Sequence, residues 1–149
     1  MKVLPRITIA AVALLGLWAG FAYQVSRPPE ASDYLRTAVQ VATSAHDAAA
    51  TGVLVGRQQL RGHLTGPFAD TAYDDALRAV AGAQHELAAA IPPDPATTAL
   101  RDRLAPLVQA AGRSLTDAAG AADESRLRAA IDDLDETADR LDRLIEEHR

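Results

Sequence analysis

An uncharged run over residues 7–26 constrains this chain more than any other feature of its sequence. At about 1.5 Å of rise per residue, a helix of twenty residues spans about 30 Å, the thickness of the hydrocarbon core of a bilayer. Lys2 and Arg6 precede the run, and basic residues on a short leading segment favour its retention in the cytoplasm. The pattern predicts a cytoplasmic tail over residues 1–6, a single transmembrane anchor over residues 7–26 and an extracytoplasmic remainder.

The same run also fits a cleaved secretory signal. The small-residue cut sites on offer are Leu17-Trp18-Ala19 and Gly20-Phe21-Ala22, neither of which matches the A-x-A pattern well. An anchor would hold the following domain at the outer face of the cytoplasmic membrane, whereas a cleaved signal would release it. Both alternatives export residues 31–149.

Composition favours one small helical domain after the run. The chain has 149 residues, 33 of which are alanine, and alanine has the highest intrinsic helix propensity. It has no cysteine, which excludes disulfide scaffolds, thiolate zinc sites and covalently attached c-type haem. It has one lysine and no basic stripe, which disfavours nucleic acid as a partner because phosphate neutralisation requires clustered cations.

Apolar residues recur at spacings of three and four in four segments, which indicates four amphipathic helices. No segment shows sustained strand alternation, so the fold class is all-α: an N-terminal transmembrane or signal helix followed by an antiparallel up-and-down four-helix bundle over residues 31–149. A stiff linker is predicted over residues 27–30, followed by a first helix that is capped by Ser32 and Asp33 and ends near Leu64. The second helix is capped by Asp70, and the third extends from the Asp94 cap to about Ala119. The fourth helix has a heptad seam of Leu127, Ile131, Leu134, Ala138, Leu141 and Ile145.

Glycines spaced four apart mark two candidate surfaces for helix association. Gly16 and Gly20 lie in the hydrophobic run, where this spacing lets two membrane helices approach closely and form a homodimer. Gly52 and Gly56 have the same spacing on the first predicted helix of the bundle. These two glycines serve either tight packing inside one bundle or a groove for a partner helix, and both interpretations stay open here.

The negative charge of the chain is concentrated in the fourth predicted helix. Residues 1–121 contain ten basic and ten acidic residues, whereas residues 122–149 contain five and ten. Asp132, Asp135, Glu136 and Asp139 are neighbours at helical spacing and form a candidate docking surface for a protein partner. The default interpretation of these residues is a solvated face, on which Arg128, Arg140 and Arg143 are interleaved and pair with them at helical spacing.

The sequence contains no recognisable enzyme motif and no metal-ligand spacing, so the expected function is non-enzymatic and without a cofactor. The leading hypothesis is a membrane-anchored protein-interaction or scaffolding element. The alternative is an exported module that binds a small molecule, metal or haem between its helices. If the first two helices form a hairpin, His46 and His85 lie within about one turn of each other and would be the ligands.

Overall fold

The structure, a computed structural model, describes residues 29–149 and contains four α-helices and no strand within that range. The all-helical prediction is confirmed for this part of the chain. The predicted tail over residues 1–6, the anchor over residues 7–26, and Gly16 and Gly20 lie outside the described residues. The helices are α1 (Pro29–Leu60), α2 (Gly66–Ala89), α3 (Pro95–Ala119) and α4 (Glu124–Glu147).

Consecutive helices pack side by side in opposite directions. Near the start of α3, Arg103 donates a hydrogen bond of 2.7 Å to Glu147 at the end of α4. Near the end of α1, Gly56 lies against Tyr73 in the first half of α2 and Ile131 in the first half of α4. The contact between α1 and α4 closes the bundle, as expected for helices joined by short turns.

The core consists of the apolar stripes of all four helices. Every residue of the predicted seam on α4 is buried. On α2, Tyr73, Val80 and Leu87 are buried, whereas Ile91 lies beyond the helix end and is 87% exposed. The largest fully buried side chains are those of Tyr73, Leu104, Leu115, Leu134, Leu141, Val41, Val80 and Val108.

Both ends of α1 differ from the prediction. The helix begins at Pro29, before the predicted Ser32 and Asp33 cap, because proline at the first helical position has its φ already set and lacks an N–H that would be unpaired there. It ends at Leu60 and not near Leu64. Gly62 has a φ of 70°, and the amides of Gly62 and His63 donate to the carbonyls of Gln59 and Gln58. This is a Schellman motif, which glycine permits without steric cost.

The predicted start of α2 is also wrong. The helix begins at Gly66 with Thr65 as its N-cap, so Asp70 lies inside the first turns and caps nothing. Pro67 explains the earlier start, since proline is favourable in the first turn of a helix as well as disruptive in the interior of one.

Both predicted boundaries of α3 are confirmed. The Asp94 side chain accepts a hydrogen bond of 2.8 Å from the Thr97 amide, and the Thr97 hydroxyl accepts one of 3.2 Å from the Asp94 amide. This reciprocal arrangement is a capping box. At the other end, Gly120 follows the last helical residue, Ala119, as the C-cap.

Replacing Asp94 tests this cap. Asp94→Ala is expected to lower the melting temperature by several degrees, whereas Asp94→Asn retains a capping oxygen and most of the stability. The hydrogen bonds from Thr97 hold the pKa of Asp94 below its usual value. The contribution of its charge is therefore present above the unfolded-state pKa and is lost as pH falls through the lower folded-state pKa. Thermal unfolding should show the wild-type advantage over Asp94→Asn shrinking below about pH 4; an advantage that is constant with pH would contradict this account.

Candidate interaction surfaces

Gly52 and Gly56 lie inside the bundle, where they let α1 approach its neighbours closely. A Cβ atom at Gly52 would lie 2.5 Å from Leu115 Cδ2 of α3 and 3.0 Å from Leu134 Cδ1 of α4. A Cβ at Gly56 would lie 2.7 Å from both Cγ1 and Cδ1 of Ile131. The space beside both glycines is thus filled by side chains of this chain.

The four predicted docking residues on α4, Asp132, Asp135, Glu136 and Asp139, are all exposed, and we call them the acidic surface. They lie outward because the opposite side of α4 is occupied by its buried seam. The helix contains nine Asp and Glu residues against four arginines. Its outward side therefore presents a concentrated negative charge to solvent.

Within residues 29–149, one member of the acidic surface forms an ion pair. Arg57 of α1 donates a hydrogen bond of 2.9 Å to Asp135, and both side chains are about half exposed. Such an exposed pair contributes at most about 1 kcal/mol because water screens it. Asp132, Glu136 and Asp139 have no ion pair with any described residue, so three carboxylates are available to a partner.

The two histidines considered as ligands lie on the surface of the bundle. The His46 side chain is 31% exposed, and its Nδ1 lies 3.1 Å from Asp47 Oδ1. His85 is exposed on α2. Among the described residues, no group of three or more His, Cys, Asp or Glu side chains is arranged to hold a metal ion.

A cleft of about 500 Å³, which the sequence pattern did not predict, lies between α2 and α3. It is open to solvent and combines apolar side chains such as Val80 with the polar groups of Gln84, Gln109 and Arg113. Gly112 accounts for the close approach of the two helices, since a Cβ there would lie 3.3 Å from Val80 Cγ1. The sequence feature that could have indicated this close approach is the position of Gly112 inside the third predicted helix.

A second cleft, of about 320 Å³, lies between α3 and α4, and we call it the basic cleft. Arg103, Arg140, Arg143 and Glu147 line it, above an apolar floor that includes Leu107. The hydrogen bond and charge of Arg103 hold the pKa of Glu147 below its usual value, with smaller contributions from the charges of His148 and Arg143. Sequence reasoning assigned Arg140 and Arg143 to charge pairing along α4, and so missed the contribution of Arg103 from another helix.

None of the helices in the described part of the chain is both long enough and apolar enough to span a membrane. Comparison with known protein families, with curated proteins and with solved structures finds no significant match to this chain.

Proposed function

We propose that this protein is a non-enzymatic interaction or scaffolding element, in which residues 7–26 anchor a helical bundle at the outer face of the cytoplasmic membrane. The acidic surface on α4 is the observation that carries the proposal. The charge-free run of twenty residues behind two basic residues supports the anchor and its orientation.

Packing inside the bundle favours interaction over ligand binding. Leu104, Leu115, Leu134 and Leu141 are fully buried, and close contacts at Gly52 fill the space between α1, α3 and α4. A module that binds a small molecule or haem usually encloses most of its ligand in an apolar pocket. His46 and His85 lie outside the core, which gives the alternative of a ligand held between them little support.

The charge of the acidic surface favours a cationic partner. Exposed carboxylates attract Lys-rich or Arg-rich surfaces, raise the rate of encounter and discriminate against acidic partners. Three of the four carboxylates have no competing ion pair within residues 29–149, so a partner need not displace an internal cation to reach them. The proposed docking energy comes from these groups and from the apolar stems of the partner's basic side chains.

The triple substitution Asp132→Asn, Asp135→Asn and Asp139→Asn tests this surface. We expect the variant to lose about nine-tenths of the partner captured by in-cell cross-linking and affinity purification of the full chain, because each removed charge weakens steering and pairing. Its melting temperature should change by only a degree or two, since the substitutions are isosteric and exposed.

The matched control removes the same charge elsewhere. Asp70, Asp74 and Asp117 are exposed, lie on α2 and α3 and form no ion pair with a described residue. Asn at these three positions should leave capture unchanged. Equal losses in both triple variants would indicate a general effect of net charge, and undiminished capture by the α4 variant would rule out the acidic surface.

A further inference from the structure

The basic cleft contains more positive charge than its own carboxylate balances. Three arginines, Arg103, Arg140 and Arg143, line the cleft, and the Glu147 carboxylate, 2.7 Å from Arg103, supplies one negative charge. Arg140 and Arg143 therefore give the cleft an excess of positive charge. They lie on a chain whose net charge is −5, and on the same helix as the acidic surface.

Arg140 and Arg143 form no ion pair with a described residue. Glu136 and Asp139 each precede one of them by four positions, a spacing that permits pairing along a helix, yet neither carboxylate lies within 4.0 Å of a guanidinium group. The two arginines instead line the cleft beside Arg103 from α3. The donors of both residues are thus available to a group that enters from solvent.

We propose that the basic cleft binds a phosphate group. Guanidinium groups match phosphate oxygens with paired hydrogen bonds, and two guanidinium groups without an ion-pair partner suit the several oxygens of a phosphate group better than the two oxygens of a carboxylate. Arg103 is paired with Glu147, whereas Arg140 and Arg143 can bind an entering group without breaking an internal ion pair. Pro106 is exposed and gives the cleft an apolar surface for the carbon substituent of a phosphate ester, above the buried Leu107 and Leu144.

Two sources could supply this group, a soluble phosphate compound or the headgroup of an anionic phospholipid. The second source follows from the membrane anchor proposed above, whereas the cleft itself depends only on residues of α3 and α4. The acidic surface contributes no residue to the cleft. Failure of the proposed docking function would therefore leave this inference standing, and the reverse also holds.

The test uses the full chain in dodecyl maltoside micelles and two probes. Isothermal titration calorimetry measures the binding of inorganic phosphate at low ionic strength, and native mass spectrometry measures the retention of phosphatidylglycerol relative to phosphatidylcholine. Arg140→Gln combined with Arg143→Gln should weaken the binding of whichever probe the wild type binds, inorganic phosphate or phosphatidylglycerol, by at least about tenfold, because two charge-assisted contacts are lost. Far-UV circular dichroism verifies that both exposed substitutions leave the helices intact.

The control variant combines Arg61→Gln with Arg113→Gln, which removes the same charge at exposed positions outside the basic cleft. It should bind like the wild type. Binding of phosphate alone identifies a soluble ligand, and selective retention of phosphatidylglycerol alone identifies a lipid headgroup; either result supports the cleft. Absence of binding by both probes, or equal weakening in the two double variants, would overturn the proposal.

Discussion

Replacing Gly56 with valine is expected to lower the free energy of unfolding by about 3 kcal/mol, the upper part of the range for overpacking a core. The first added carbon alone would lie 2.7 Å from two atoms of Ile131 and 3.1 Å from the Tyr73 hydroxyl. One of those atoms is Cγ1, which cannot move away as freely as the end of a side chain. Thermal unfolding followed by circular dichroism should show a fall of about 10 °C for a domain of this size.

Gly82 provides the matched control for this substitution. It lies in the interior of α2, is exposed, and a Cβ added there would have no atom within 4 Å. Gly82→Val should be neutral or slightly stabilising, because valine has a higher helix propensity than glycine. Comparable destabilisation at both positions would show that backbone effects, and not contact with Ile131, cause the loss.

A double-mutant cycle makes the test specific to the contact. Ile131→Ala alone should destabilise by about 2–5 kcal/mol through loss of buried volume. It also removes the atoms nearest to a side chain at residue 56. The combined Gly56→Val and Ile131→Ala variant should therefore be more stable than the sum of the single effects predicts, with a coupling energy above about 1 kcal/mol.

Tyr34→Phe is expected to raise the free energy of unfolding by about 1–2 kcal/mol, which is unusual for a substitution in a core. Tyr34 is only 5% exposed, and its hydroxyl is buried without a hydrogen-bond partner among the described residues. Folding therefore removes the hydroxyl from water without replacing the hydrogen bonds that it made there. Phenylalanine keeps the ring that packs in the core and removes this penalty, which chemical denaturation will measure.

The stabilisation of the Tyr34→Phe variant relative to the wild type should increase at alkaline pH. Burial raises the pKa of Tyr34, with an opposing contribution from Arg101 and a smaller reinforcing one from Asp102. Because the folded-state pKa lies above the unfolded-state value, the contribution of the protonated hydroxyl is fully present below the unfolded-state pKa and is lost as pH rises above about 10. The phenylalanine variant has no such loss at residue 34.

Tyr73→Phe serves as the comparison. Tyr73 is also buried, but its hydroxyl has a long hydrogen bond of 3.5 Å to Gln59 Oε1. Its removal should be neutral or slightly destabilising near neutral pH. Destabilisation by Tyr34→Phe, or an equal gain from both substitutions, would refute the assignment of an unpaired hydroxyl to Tyr34.

Sequence patterns predicted the helices of the bundle well where one physical signal dominated. The seam of α4 is buried throughout because its apolar spacing of three and four leaves no alternative face. The limits of α3 were predictable because Asp94 followed directly by Pro95 favours a helix start, and Gly120 has no neighbouring glycine or proline to compete with it as the helix end. The end of α1 and the start of α2 were not, since Gly62, Gly66 and Pro67 all lie within six residues and each favours either a helix end or a helix start.

The candidate sites differ in the same way: those formed by one helix could be predicted from the sequence, and those formed by two or more helices could not. Exposure of Asp132, Asp135, Glu136 and Asp139 follows from periodicity within a single helix and could be predicted. The basic cleft could not, because it needs the position of Arg103 relative to Arg143, and that depends on how α3 and α4 align along their lengths. Likewise, the sequence could not show that the Tyr34 hydroxyl lacks a hydrogen-bond partner, because this depends on which side chains surround it in the bundle.

The nine carboxylates of α4 also restrict how two copies of this protein can associate. In a twofold-symmetric dimer each surface meets its own counterpart, so pairing through the outward side of α4 would place like charges opposite each other. Such juxtaposition costs several kcal/mol. The repulsion grows as ionic strength falls, because fewer ions screen the charges. Isologous self-assembly is therefore expected to avoid this helix, which keeps its acidic side accessible to a different molecule.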